Sequence, residues 1–274
     1  MDEGGTRVRL PAGLWRDGRR HDVAMLRASG FGEELPRPGA LPAERATQLV
    51  AACIERIGEV EPVGLDEARE LVVGDREAIA LHVRRLVAGE ELPCVLDCPN
   101  PECGERLEVT LRVSDLLVEP YAWEGALHSR SFCGRRVAFR VPNGGDLERA
   151  AGRAAASVEA AAEELLEACV ESCEGELDAE LSSALAAAME ELDPQADISL
   201  AFACPECGAE GTVPFDASAY VLEELAQRKR ALEREVHLLA LHYHWSEGDI
   251  VSMPQSRRRR YIELLDDELR GRAA

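Results

Sequence analysis

A chain of 274 residues, 46% apolar and 30% charged, is globular in composition and long enough to bury a core without disulfide support. Its 52 acidic against 31 basic side chains leave a net charge of −21, which repels phosphate backbones and anionic lipid, so neither nucleic acid nor a membrane is an expected partner. The apolar stretches are broken by Arg or Glu short of the ~18–20 residues that span a bilayer, and the opening MDEGGTRVRL lacks the apolar core of a signal peptide. The reading is a cytoplasmic chain whose nine cysteines serve metal binding or packing.

Along the chain, two stretches about a hundred residues apart repeat one order of features, which predicts an internal duplication. The first runs from LPAG (10–13) through an apolar segment ending ATQLVAACI (46–54) and a charged helical stretch DREAIALHVRRLV (75–87) to EELPCVLDC (90–98). The second runs from VPNG (141–144) through EELLEACV (163–170) and DAELSSALAAAMEEL (178–192) to ADISLAFAC (196–204). Each then has a Cys-Gly pair, Cys103-Gly104 or Cys207-Gly208. In the first copy Val95 and then Leu107, Val109, Leu111 and Val113 alternate with polar neighbours. In the second, Ile198, Leu200 and Phe202 lead into the cysteines, and Val213 and Phe215 lead out. A period of two predicts a β-hairpin around each cysteine turn. Stretches rich in Ala, Leu and Glu predict helices between them, with Ser157 and Asp178 as N-caps and Asp193-Pro194 as a stop.

Beyond Asp216, the residues Val221, Leu225, Leu232, Val236, Leu239 and Tyr243 recur at steps of three, four or seven, predicting one long amphipathic helix to Trp245. Glu224 and Arg228 form a favourable i,i+4 pair on it. Ser246 with Asp249 makes a capping box for a short helix through Val251, and Pro254 starts a last helix before a frayed tail GRAA. The expected fold is α+β and mostly helical: a first copy over 1–120, a second over 121–216, and a C-terminal segment over 217–274 with a long helix and a short helical hairpin.

The sharpest chemical signal is the pair of turns Cys98-Pro-Asn-Pro-Glu-Cys103-Gly and Cys204-Pro-Glu-Cys207-Gly. Each resembles a zinc knuckle, in which a tight turn aims two thiolates the same way and the trailing Gly supplies a positive φ. Zn²⁺ takes four such ligands, so Cys98, Cys103, Cys204 and Cys207 are expected to form one structural Cys₄ site joining the two copies, with Asn100 and Pro101 as an insertion in the first. Thioredoxin-like exchange is the competing reading of C-x-x-C, but that chemistry sits at a helix N-terminus, not between strands. Cys53, Cys94 and Cys169 read as packing residues, Cys173 lacks partners that would complete a metal site, and Cys133, in a basic run, is a candidate for reactivity.

Histidines 237, 242 and 244 read as aromatic packing at a helix end, and no nucleophile elbow, phosphate loop or carboxylate pair suggests catalysis or a small-molecule substrate. The segment holding Tyr243, Trp245, Met253, Arg257, Arg258, Arg259, Tyr261 and Leu264 is too short to form its own core, and its large apolar groups beside an Arg run are expected to bind a partner.

Taken in order, GDREAIALHVRRL, ELPCVLDCPNPECGERLEVTLRVSDL, FRVPNGGDLERAA, DISLAFACPECGAEGTVPFD and EVHLLALHYHWSEGDIVSMPQSRRRRYIELL resemble the T4-type baseplate family. These are baseplate hub assembly proteins of contractile phage tails and related phage-tail-like injection systems, and the closing segment is the most specific part of the likeness. The resemblance implies a non-enzymatic tail or baseplate component, or a chaperone for the hub, that meets baseplate, hub or tail proteins. A zinc-ribbon adaptor in transcription or translation is the alternative from a different class, and a thiol oxidoreductase a third.

Overall fold

The computed structural model describes residues 5–27, 39–154 and 156–273; residues 1–4 of the acidic opening and Ala274 of the tail lie outside them. Thr6–Arg16 (β1) and Arg19–Leu26 (β2) form an antiparallel hairpin, and Ile54–Ile57 (β3) pairs with the far side of β2. β3 continues directly from the helix Pro42–Cys53 (α1). Leu65–Glu70 (α2), Val73–Ala88 (α3), the hairpin Glu91–Asp97 (β4) with Arg106–Arg112 (β5), and the single turn Val113–Leu116 (α4) complete the copy.

The same order then returns. His128–Phe132 (β6) and Arg135–Phe139 (β7) make a hairpin to which Val170–Cys173 (β8) adds, again straight from a helix, Val158–Cys169 (α6), which follows Gly144–Ala154 (α5). Ala179–Leu192 (α7) leads through a 3₁₀ turn to the hairpin Ser199–Ala203 (β9) with Glu210–Pro214 (β10). Cys53 and Cys169 each close a helix and are buried, while Ile54 and Val170 each open the strand that follows. The duplication is thus carried by a full order of elements: hairpin, helix, strand, helix, cysteine hairpin.

Ala217–Tyr243 (α8), Glu247–Ser252 (α9) and Gln255–Ala273 (α10) close the chain, the last running through the tail expected to fray. Residues 1–222 and 223–274 form two compact units.

The three-stranded sheets are absent from the sequence reading, and their local chemistry explains why. β1 holds Pro11 and Gly13 mid-strand, where its pairing with β2 slips between Arg9 and Leu14. Gly13 takes φ 75°, and a Cβ there would stand 2.9 Å from the His21 carbonyl oxygen. LPAG therefore lies inside β1, whereas VPNG follows β7, so that one pair of segments is not equivalent. In the first cysteine hairpin the inward face is Leu92, Cys94 and Leu96 opposite Leu111, Val109 and Leu107, while Val95 faces Glu108 and is 53% exposed.

The predicted caps are present: Ser157 accepts from the Ala160 amide, Asp178 from Leu181, and Ser246 from Asp249. α7 stops at Leu192, ahead of Asp193-Pro194. Apolar packing in the second copy centres on Phe139, Leu181 and Leu185, all fully buried. In the first copy every residue of α3 from Gly74 to Arg84 is buried, which makes this the central helix of the larger unit.

A helix that enters the core with Gly-Asp-Arg-Glu must satisfy three ionisable side chains there. Asp75 accepts from the amides of Ala12 (2.7 Å) and Gly13 (2.8 Å) in β1. Arg76 Nη2 donates to the Ala43 carbonyl and to Thr47 Oγ1 of α1, both at 2.9 Å. Glu77 accepts from the amides of Ala217 (2.7 Å) and Ser218 (3.1 Å) and from the Ser218 hydroxyl (2.5 Å), which caps α8. Gly74 donates its own amide to Asp193 at 3.0 Å, and a Cβ at this position would lie 1.9 Å from that carboxylate. The Gly74–Asp193 bond ties the two copies together, and Asp193 also accepts from the Tyr121 hydroxyl (2.7 Å) of its own copy.

If Glu77 acts through hydrogen bonds and not through its charge, Glu77→Gln should cost under ~1 kcal/mol and Glu77→Ala ~2–4 kcal/mol in denaturant unfolding, because only Ala leaves buried donors unpaired. Equal losses would show that the ionised form matters.

Burial, opposed by the Ala12 amide and aided by the charge of Asp193, pushes the Asp75 carboxyl up to about 7. With a folded pKa above the unfolded ~3.9, its contribution to stability is fully present below about pH 4 and is lost as pH rises through about 7. Stability should therefore fall more steeply between about pH 4 and about pH 7 in the native chain than in Asp75→Asn, and parallel curves would contradict this.

Candidate metal centre

Each cysteine hairpin ends its first strand one residue before its first cysteine. The Cys98 amide donates to the Glu105 carbonyl (2.8 Å) and the Cys204 amide to Ala209 (2.9 Å). In the second turn the Gly208 amide closes on the Cys204 carbonyl at 2.8 Å; in the first, the Gly104 amide closes on Asn100 at 3.3 Å. Asn100 to Gly104 thus makes the turn that Cys204 to Gly208 makes, and Pro101 is the counterpart of Pro205. Counted from the first cysteine of each pair, the two added residues are Pro99 and Asn100, with Asn100 in the backbone place of Cys204, and not Asn100 and Pro101 as the spacing suggested. Gly104 and Gly208 take φ 63° and 73°, the conformation the trailing glycine was expected to supply.

The longer first loop still delivers its thiol. Cys98 Sγ lies 3.6 Å from Cys207 Sγ, Cys103 Sγ lies 3.9 Å from Cys204 Sγ, and all four fall within 4.8 Å of one another. Four sulfurs around a tetrahedral metal at ~2.3 Å stand about 3.8 Å apart, so the set fits a Cys₄ ion. The Asn100 amide, 3.4 Å from Cys98 Sγ, is the kind of donor that stabilises a bound thiolate. Cys204 is buried and Cys207 exposed, so one side of the cluster is open to solvent. The Ala209 amide draws the Cys207 thiol down to about 7, while desolvation pushes Cys98 up to about 12. A divalent cation supplies the positive charge that four adjacent thiolates need.

The remaining cysteines are placed apart from this centre. Burial pushes Cys53 and Cys169 up to about 12, as inert packing residues. Cys94 is half-buried on the inward face of β4, and Cys173 half-buried in β8. Cys133 sits exposed in the β6–β7 turn, 3.4 Å from a Glu180 carboxylate that raises its thiol against the opposite pull of Arg135. Among the described residues the one group able to hold a metal is the cysteine set, and His237, His242 and His244 form none.

The C-terminal residues proposed for docking fall into two kinds. The Tyr243 ring stacks on Trp245 (4.7 Å between centroids), and Tyr261 meets both edge-on at 5.7 and 4.8 Å. Arg258 is buried against Glu235 (2.7 Å) and the Met253 carbonyl. With Leu239, Ile250 and Leu265 buried as well, this segment and the end of α8 make a small core of their own, which the sequence reading judged too short to form. Arg257, Arg259 and Leu264 remain exposed, Arg257 over the Tyr261 ring at 5.9 Å.

A family model described as T4 bacteriophage base plate protein matches residues 42–221 of the chain. The chain belongs to the T4 bacteriophage base plate family. The match takes in all four clustered cysteines and the Gly74 to Glu77 anchor, and it ends before the closing segment that looked most specific to this baseplate family. No curated protein and no solved structure matches significantly. Among the described residues no helix is long and apolar enough to cross a membrane.

For this base plate family member a shared site predicts one metal ion per chain, lost as completely in Cys98→Ser as in Cys207→Ser by metal analysis. Retention in either variant, or two ions, contradicts sharing. Because binding energy at a structural site is folding energy, a chelator should also lower the unfolding midpoint, and an unchanged midpoint after proven metal loss would show that the apolar core suffices.

Proposed function

We propose that the protein is a non-enzymatic component of the baseplate, or an assembly chaperone for its hub, in a contractile phage tail-like injection system, with a structural zinc ion at the Cys₄ centre. The observation that carries this reading is the family match, which spans both cysteine hairpins and the core that positions them. Zinc would supply a cross-link between the two copies. The chain's own residues do the rest: Asp75, Arg76, Glu77 and Asp193 lock the central helix to its neighbours, giving a platform that need not move to act.

Contact with baseplate, hub or tail proteins is assigned to the C-terminal unit. Tyr243, Trp245, Tyr261, Met253 and Arg258 hold that unit together, and Arg257, Arg259 and Leu264 present its outward side. Steering by the arginines would raise association rate, and burial of Leu264 would set residence time. Removing 246–274 would strip the cover from Leu239, so substitution is the cleaner test. The triple variant Arg257→Gln, Arg259→Gln, Leu264→Gln should stay folded and metal-loaded yet no longer co-purify with assembled particles from a host carrying them. Unchanged incorporation would move the docking surface elsewhere, and absence of the native chain from particles and assembly intermediates alike would overturn the reading.

A further inference from the structure

The unit from Glu223 onward carries ten acidic and ten basic side chains, so the whole charge of −21 resides in residues 1–222. Within this neutral unit the charges of α10 fall in blocks along the helix, with Glu263 next to Leu264 and Arg270 and Arg272 beyond the acidic block. Arg257 to Arg260 precede Leu264, and Asp266, Asp267 and Glu268 follow it. Arg257, Arg260, Leu264, Asp267 and Gly271 are spaced three and four residues apart in turn, so they form one stripe along α10, and all five are exposed. The inward stripe is a different set, with Arg258 and Leu265 buried. In a chain with 52 acidic side chains, Arg257, Arg259 and Arg260 make no ion pair among the described residues.

On the outward stripe, Arg260 before Leu264 and Asp267 after it are complementary to themselves when reversed. If two such helices lie antiparallel with Leu264 at the crossing, Arg260 lies four residues, about 6 Å, before the centre, and Asp267 and Glu268 lie about 5–6 Å after it. Each Arg260 then faces the acidic pair of the other helix, the two Leu264 side chains meet, and each Arg257 meets Gly271, where no side chain obstructs it. A wholly acidic partner would satisfy the arginines and place like charge against Asp267. A second copy satisfies both ends, and the contact is isologous, as two-fold pairing requires.

Resting on the reading of the C-terminal unit as a docking element, we propose that in the free chain the outward stripe of α10 takes a second copy of this chain, antiparallel about Leu264, which a baseplate partner would displace. A single helical stripe buries well under the ~800 Å² per partner of a stable dimer, so the dimer is weak and concentration-dependent.

Sedimentation velocity of the full chain over a concentration series is the test. The native chain should show a monomer–dimer equilibrium, and Arg260→Glu should weaken it about tenfold, since two symmetry-related exposed pairs become repulsive. The double variant Arg260→Glu, Asp267→Arg, which restores opposite charges only between chains, should bring the dissociation constant back to within about threefold. Circular dichroism checks that α10 stays helical in each. A chain monomeric throughout, a reversal without effect, or a swap that fails to rescue would each overturn the self-pairing. Incorporation of such a monomeric chain into particles would leave the baseplate reading standing, so the two can fail separately.

Discussion

The head of the central helix governs the larger unit. Burying Gly74 to Glu77 takes two carboxylates and a guanidinium out of water, which is tolerable only because each is aimed at a different element and met there by a fitting donor or acceptor. One turn of α3 thereby fixes β1, α1, the end of α7 and the start of α8 at once. Removing one partner leaves the other buried and unpaired, so errors in any of these four directions are penalised together. The cysteine hairpins inherit their positions from this arrangement: β4 leaves the C-terminal end of α3, and β10 leads into the helix that Glu77 caps.

The metal centre then depends on two long-range facts, the placement of α3 and of α7, and on two short-range ones, the turns themselves. Turn geometry brings two thiols together in each hairpin, and the core brings the hairpins together. An ion held by these four cysteines would be a clamp on a relationship already set by packing, in contrast to small metallo-domains where the ion alone orders the chain.

What was legible from sequence follows the range of the interactions involved. Ser157, Asp178 and Ser246 cap helices through an amide three residues away, and the cysteine turns close within five, so local pattern sufficed. The knuckle glycines were readable for the same reason. β1 and β2 escaped because Pro11, Gly13 and a register slip break the period of two, and β3 and β8 because four-residue strands continue from helices without a turn between. Asp75, Arg76 and Glu77 read only as a charged helical stretch, since their partners lie between 29 and 141 residues away and nothing near them betrays burial. The aromatic trio of the C-terminal unit was seen as residues but misjudged as unsatisfied surface, because its cover comes from α8, earlier in the chain.

The extension of the first knuckle by Pro99 and Asn100 has a consequence for recognition. Two identical turns about a shared ion would present a face that looks the same after half a rotation, and whatever met it could seat in either of two orientations with equal ease. A loop two residues longer on one side, carrying a second proline and a carboxamide that the other side lacks, removes that degeneracy. A duplicated body thereby acquires a left and a right at the place where its halves are otherwise most alike, and anything that grips this face must arrive in one sense only.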